Sequence, residues 1–594
     1  MGGILFHSSN QAQQDSIQRV RRMADRSPYR GKLQLVSGDG YAIGIQVRKD
    51  EAELHQSDRY CVAVNGHLGP HFRDAAAFLK AYIESPSRSL SRLSNEHAVL
   101  IHDEQTGQVR FFTSLSNMRP LYFGHTDQQL ALASEIRQVV TGLEIAARMD
   151  LEVIAQIAIE FAPVLTPWKT EFDNVSRCLP ANIYGFQAGQ AEPEAVGQYW
   201  SFNQEPLDDS AQDPQRLTTA LAATLDNHLR GSPAFSLSGG LDSSTLWGLA
   251  RRHDLLQKST AAHKAHAYTL SFPGRAMDET SQVQDLVKST GGNLHLIEAV
   301  QHNPSEYMET NLRLLDRISG TATLFYAHLL GERLRCDGMT QHISGIGAEL
   351  WMTASNHFPR DTLAAGKPLS ALKQSWLFFD YTSPADRATA RIKQMARQLL
   401  LPPGRSLRNP FFRPRPPAWL HRKWFDLYHQ TEEAYQLKAP GRTYQETHRE
   451  KGLWHQAIRS GNENLAQLHE YYGLELHTPF LDKPIASLSA ALPAERIARD
   501  NRQKGLLVAA SRGYITESIR QQQTKTVHNE AFDLDFELLD QLENSGNQWA
   551  LNDCQIVEPD LFARLRNESR ANRKITTNLT NLLMIEHFLR RYGA

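Results

Sequence analysis

Cysteine is scarce in this chain: four in 594 residues, at Cys61, Cys178, Cys336 and Cys554. They are scattered and form no C-x-x-C pair, so no disulfide framework is indicated, and free thiols in a reducing cytoplasm are expected. Charge imbalance is also absent. Lys and Arg number 64 against 65 Asp and Glu, a net charge of −1. That gives no field to draw nucleic acid or an acidic membrane, so neither is expected as a partner. No apolar run approaches the ~18 residues of a membrane span. The opening Met1-Gly2-Gly3-Ile4-Leu5-Phe6 has no basic n-region and no long apolar h-region, so no signal peptide is expected. The 24 histidines include no H-E-x-x-H and no Cys/His ligand spacing, which argues against zinc.

What is present is ordinary globular composition, 41% hydrophobic and 22% charged. The length is too great for one ordinary core, so two large domains or more are expected. Residues 1 to about 200 read as short alternating strands, at 41–47, 60–64, 98–102, 109–113 and 130–133, with helices at 75–83 and 151–158. That predicts an α+β layered domain. The polar, acidic stretch 201–215 reads as a linker, placing the domains at 1–205 and 206–594. After a helix at 216–229 the pattern changes to strands at 234–237, 265–272, 294–298 and 341–344. Helices at 244–252, 279–289, 304–315 and 323–334 lie between them. That predicts a parallel sheet covered by helices, with ligands beyond the C-terminal strand ends. Helical spacing returns at 370–378 and 385–400. The Arg-Pro-aromatic stretch 409–419 reads as a rigid connector or a peptide groove. The remainder is mainly helical and closes on a docked helix at 578–591.

The first of those strands runs into Ser236-Leu237-Ser238-Gly239-Gly240-Leu241-Asp242-Ser243-Ser244. The glycines let the backbone turn and approach a ligand, and the helix start presents N–H groups to an anion. No Gly-Lys-Ser/Thr follows, so this is not the Walker loop. The stretch 238–244 resembles the pyrophosphate loop S-G-G-x-D-S-S of the asparagine synthetases and their relatives. Further phrases are similar to that family in its own order. Ala63-Val64-Asn65-Gly66-His67, Arg119-Pro120-Leu121-Tyr122 and Ala133-Ser134-Glu135 resemble its N-terminal glutaminase-like domain. Leu270-Ser271-Phe272 and Asp278-Glu279 resemble its adenine-contacting segment and D-E pair; a charged helix start is an equal reading of the latter. Ser344-Gly345-Ile346-Gly347-Ala348-Glu349-Leu350 resembles the second phosphate loop, S-G-E-G-S-D-E. The stretch 473–482 resembles G-x-E-x-R-x-P-F-L-D, with Asp482 as a cap or ion-pair partner.

The resemblance implies a degenerate Ntn-hydrolase (glutaminase-like) sandwich followed by a PP-loop ATP-pyrophosphatase domain with a parallel sheet and helical additions. It implies ATP and Mg²⁺ as cofactors. Ser236 to Ser244, Leu270, Ser344, Gly345 and Lys504 would contact the nucleotide. Asp242 and Glu349 would hold the metal, Glu349 being one methylene longer than the family's Asp. Lys525, in Arg520 to Thr526, stands for the catalytic Lys that steadies phosphates and transition state. Two departures point to a branch. Gly2 replaces the cysteine nucleophile of glutamine hydrolysis. Ile346 replaces the Glu, or Tyr in the β-lactam branch, that handles the amine, leaving Glu517, His528 or the substrate to move the proton. The resemblance therefore implies an AMP-forming amide ligase using an amine already on its substrate, most like a lasso peptide macrolactam cyclase. Its partners would be a precursor peptide, a leader peptidase and a leader-binding protein, in the cytoplasm. Ammonia-dependent asparagine synthesis, β-lactam formation and an impaired ATP-binding protein are the alternatives.

Overall fold

The computed structural model describes residues 2–593 apart from 10–12, 49–51, 95, 127–128, 161–164, 188–189, 191, 254, 256–264, 276, 300–306, 319–321, 378–391, 393–394, 397–398, 401–414, 437–441, 455, 523–533, 547 and 573–576. The first 198 residues build two antiparallel sheets. One has the order Ser176–Arg177, Tyr122–Thr126, Gln129–Ala133, Gly2–Ser9, Tyr41–Val47, Lys32–Gly38. The other has the order Glu194–Gln198, Asn182–Phe186, Gln108–Thr113, His97–Asp103, Tyr60–Gly66, Ala52–Gln56.

The two-residue period of the strands sorts their side chains into layers. Ile4, Phe6, Ile43 and Ile45 meet Cys61, Ala63, Leu100 and Phe111 between the sheets. Leu5 and Ala42 point the other way, toward Val20, Val139 and Ile154 on the helices Gln13–Asp25, Ile136–Leu143 and Leu151–Glu160. Val62, Val64 and Val99 pack under Phe78 and Leu79 of the helix Ala75–Glu84, whose N-terminus is capped by Asp74 accepting from the Ala77 N–H at 2.8 Å. The result is helix, sheet, sheet, helix.

The second part is a parallel sheet in the order Asn293–Glu298, His266–Ser271, Pro233–Ser236, Gln341–Ile343, Glu475–His477. Both faces are covered. Phe235, Ala267 and Ile343 pack with Leu217, Trp247 and Leu286 on one side. Ala234, Tyr268 and Leu476 pack with Leu329, Leu334 and Leu468 on the other. The chain leaves Pro233–Ser236 toward one edge and returns at Gln341–Ile343 to build toward the other. The switch point therefore lies between these two strands, and the crevice beyond their C-terminal ends is where such sheets bind ligands.

Two expectations need correction. The stretch 201–215 is not a free linker. Phe202 is buried against Trp200 and Trp351, and the next helix already starts at Asp213. Asp213 is fully buried and paired with Arg496 and Arg216. The C-terminal helices do not belong to the parallel sheet alone. Leu539, Phe562, Leu582 and Phe588 share a core with Val20 and Ile154 of the first part, Phe588 and Tyr592 pack edge-on against Phe172, and the Asn581 amide donates to the Ile157 carbonyl at 2.9 Å. Most of 385–400 and the run 409–414 lie outside the described residues; the end of that connector, Trp419 and Leu420, is buried.

The helix Gln456–Tyr472 fastens the halves with charge. Glu463, fully buried, accepts from Asn117 and Tyr122, each at 2.7 Å, and from Arg317 at 2.6 Å, with Arg177 at 3.4 Å. One turn pair further on, Glu470 takes Arg119 at 2.7 Å and Arg30 at 2.5 Å. Among the described residues no helix is long and apolar enough to cross a membrane.

Candidate active site

The two strands at the switch point end in the two glycine loops picked out in the sequence. Ser236 closes the first strand opposite Tyr268. The chain then turns through Gly239, whose φ of 70° suits glycine, into the helix Leu241–Arg252. The Ser238 N–H donates to Ser243 Oγ at 3.2 Å, closing the turn. The second loop leans on the first: a Cβ at Gly345 would lie 2.7 Å from the Ser243 nitrogen. The Ser344 N–H donates to the His477 carbonyl at 2.9 Å, and Ser344 Oγ accepts from Ile346 N–H at 3.4 Å. Leu270 sits one strand over, paired with Ile297 and half-buried against the Phe272 and Met118 cluster.

Three charged side chains converge at this crevice. Lys504 Nζ donates to both Asp242 oxygens, at 2.8 and 2.6 Å, and lies 3.8 Å from Glu349 Oε1. Asp242 comes from the first loop's helix. Glu349 comes from the short helix Ala348–Trp351, behind Gly347, where φ is 96° and a side chain would collide with Leu481. Two carboxylates thus share one ammonium. Such a pair of hard oxygen donors fits Mg²⁺, which Asp242 and Glu349 would hold against the phosphates of a nucleotide. His448, whose ring faces the Glu349 backbone, is kept below the usual imidazole range by burial.

The sequence singled out Glu279 and the stretch that holds Gln522, but neither Arg502 nor the way these residues brace the cluster from behind. Glu279 packs on the first loop, since a Cβ at Gly239 would lie 2.7 Å from Glu279 Cβ. Gln522 donates to Glu279 Oε1 at 3.1 Å. Arg502 donates to the carbonyls of Arg520 and Gln522 at 2.7 and 3.0 Å. Together they hold the segment that leads toward Lys525; Lys525 and His528 lie outside the described residues. Asp278 is the plain helix start of the other reading, accepting from the Thr280 N–H at 3.2 Å. Glu517 is not drawn into the cluster. Its side chain is 61% exposed and paired with Arg520, because it opens a surface helix, Glu517–Gln521. Ile346 packs among apolar residues of both sheet faces and offers no proton.

In the first part, Gly2 opens a central strand opposite Val47. A Cβ there would lie 2.6 Å from Ala52 Cβ and closer still to the Gln46 carbonyl oxygen. The nucleophile's position lacks both a thiol and the space for one. Asn65 is buried beside it with its side-chain oxygen unbonded. Gly66, at φ 97°, serves a turn against Glu96.

Fold and crevice define a nucleotide-type parallel-sheet domain behind an amidotransferase-type sandwich. Residues 216–590 match the asparagine synthase family model, and residues 65–200 match the glutamine amidotransferase domain. The chain belongs to the asparagine synthase family. It is 24% identical over 240 residues to asparagine synthetase [glutamine-hydrolyzing] 3 of Bacillus subtilis, a match spanning 40% of this chain and 37% of that protein's length. Among solved structures it is similar to glutamine phosphoribosylpyrophosphate amidotransferase from B. subtilis, at 11% identity and a TM-score of 0.23 over 50% of this chain and 80% of that one. An allosteric regulatory enzyme of purine biosynthesis gives 11% identity and a TM-score of 0.24, over 61% and 77%.

Proposed function

We propose that this protein is an AMP-forming amide ligase that activates a carboxylate and joins it to an amine carried by the same substrate. The single observation that carries this reading is Gly2. With no side chain there, and no space for one, glutamine cannot be hydrolysed by the family's cysteine chemistry, so the amine comes from another source. In this reading the loops at 236–244 and 344–347, with Lys504, hold the triphosphate of ATP. Asp242 and Glu349 would hold Mg²⁺, which would supply positive charge to the pyrophosphate. The substrate carboxylate attacks the α-phosphate, and pyrophosphate leaves. The amine then attacks the acyl carbon, an amide forms, AMP leaves and the amine gives up a proton. Lys525 is the cation for the charge that develops. With Ile346 apolar, the proton leaves through the substrate or the 520s segment. The substrate we favour is a precursor peptide with an internal Asp or Glu, closed to a macrolactam on its N-terminus as in lasso peptide cyclases. A leader peptidase and a leader-binding protein would then be its partners.

The test is a screen of short peptides bearing internal Asp or Glu, with ATP and Mg²⁺. Loss of one water from the peptide with matched AMP release supports the reading. Asparagine made from aspartate and ammonium, with no peptide turnover, replaces it by the ammonia-dependent alternative, toward which the similarity to the B. subtilis asparagine synthetase points. No substrate-dependent AMP at all would leave an ATP-binding protein.

A further inference from the structure

A second cluster of ionisable groups joins the two parts of the chain, and the amide chemistry above makes no use of it. Glu96 precedes the strand His97–Asp103, His228 ends the helix Asp213–His228, and His477 ends the strand Glu475–His477. They are 2%, 1% and 1% exposed. One ligating atom from each lies within 4.8 Å of the other two.

Each is held from behind. Glu96 Oε1 accepts from the Thr478 N–H at 3.1 Å. His477 Nε2 lies 3.3 Å from Glu475 Oε2 and 2.9 Å from Gln341 Nε2. His228 Nε2 lies 2.7 Å from Asp482 Oδ2. What remains are Glu96 Oε2 and His477 Nδ1, facing at 3.1 Å, and His228 Nδ1, buried with no hydrogen-bond partner among the described residues. The two imidazole centroids are 4.6 Å apart. An imidazole that gives its Nε2–H to a carboxylate keeps a bare lone pair on Nδ1. Buried and unused, such an atom keeps the desolvation penalty of a polar group without a partner. A carboxylate behind each histidine is the arrangement that orients metal-bound imidazoles.

Charge points the same way. Glu96, Glu475 and Asp482 are all buried here. The nearest guanidinium, Arg119, is 3.7 Å from Glu475 and already serves Glu470. A dication between them would balance these buried carboxylates.

We propose that Glu96, His228 and His477 bind a divalent transition metal of the Zn²⁺ class, a staple between the sandwich and the parallel sheet, with Glu475 and Asp482 orienting its two imidazoles. Two histidines and a carboxylate suit zinc. Ligands at ~2.0–2.1 Å around a tetrahedral ion stand about 3.3 Å apart, and Glu96 Oε2 and His477 Nδ1 already stand 3.1 Å apart.

The experiment is elemental analysis of the untagged, full-length protein purified without chelator. The expected result is near one zinc per chain. That zinc should be lost in Glu96→Gln and in His228→Gln and kept in Asp242→Asn. A strong chelator should lower the melting temperature of the wild type but not that of His228→Gln. If those variants fail to fold, wild-type protein stripped of metal and titrated with Co²⁺ decides. A one-to-one end point with the visible bands of a tetrahedral site supports the staple. Absence of such bands, or zinc content unchanged in folded variants, overturns it and leaves a proton-bridged ion cluster. Peptide ligase activity enters none of these readouts, so failure of the staple and failure of the proposed function are separable.

Discussion

Restoring the family's nucleophile should fail, and the geometry says by how much. In Gly2→Cys, and already in Gly2→Ala, the new Cβ would lie 2.6 Å from Ala52 Cβ, where carbon pairs settle at about 3.5–4.0 Å. It would press still harder on the backbone oxygen of Gln46, which no rotamer change can move. Gly2 also accepts from Arg30 Nη1 at 2.6 Å, so the strand start cannot slide without disturbing a buried guanidinium. Overpacking of this kind costs about 1–3 kcal/mol. Replacing glycine returns roughly 0.4–1 kcal/mol through the unfolded chain only where the site accepts the side chain without strain, and this one does not. At roughly 2–4 °C per kcal/mol for a domain of this size, both variants should melt several degrees below wild type. Adding Ala52→Gly should recover only part of the loss, since the Gln46 oxygen stays. Thermal unfolding measures the first part, and glutamate release from glutamine the second. A Gly2→Cys protein that melts with the wild type and hydrolyses glutamine would refute both the closed pocket and the inference about the amine.

The other predictions are independent of that site. Lys504→Met leaves Asp242 and Glu349 without their shared cation; substrate-dependent AMP formation should fall by about 10²-fold or more, and a near-normal rate would remove Lys504 from the phosphate site. Glu463→Ala takes from Arg317 and Arg177 the buried carboxylate they share, leaving Glu171 at 3.9 Å from Arg177, and should cost about 3–5 kcal/mol, read as a shift of the denaturation midpoint; a shift below about 1 kcal/mol would mean that this junction is not what fastens the halves. Burial raises Asp316 to about 6, against the opposing pull of Arg137 and Tyr592. A carboxyl that holds its proton more tightly when folded adds stability that is complete below its unfolded value of 3.8 and lost as pH rises through about 6. Asp316→Asn, tolerable at φ 49°, should therefore flatten the denaturation midpoint between pH 4 and 7, and an unaltered slope would count against it.

Much of this was legible in one dimension. The strand Tyr41–Val47 could be read to its ends because each face of the sandwich is buried in a different layer, and alternation survives both. The first glycine loop announced itself through Gly239, Gly240 and Asp242, where backbone approach and charge demand particular residues. Its meeting with Lys504 was legible only through the family resemblance: the two lie 262 residues apart, and residue chemistry alone does not single out that lysine. The C-terminal helices were recognisable as amphipathic, but an apolar stripe does not say which partner it covers, so their docking on the first sheet's helices went unseen. Spacing rules for metal sites are local as well, and three ligands from distant elements leave no such trace. Asp213 looked like linker for a similar reason, since its buried partner Arg496 lies 283 residues away.

The helix Gln456–Tyr472 also imposes an order of events on synthesis. A ribosome releases the sandwich long before the acids that satisfy its arginines. Arg177 is made 286 residues ahead of Glu463, and Arg119 is made 351 ahead of Glu470. At roughly 5–20 residues per second, those guanidinium groups wait on the order of tens of seconds for their counter-ions. Until then the nascent first half has a cationic, unfinished face that is open to water. Its maturation is thus tied to completion of the second half, and a chain that stops short of residue 463 should mark itself as incomplete by that exposed face.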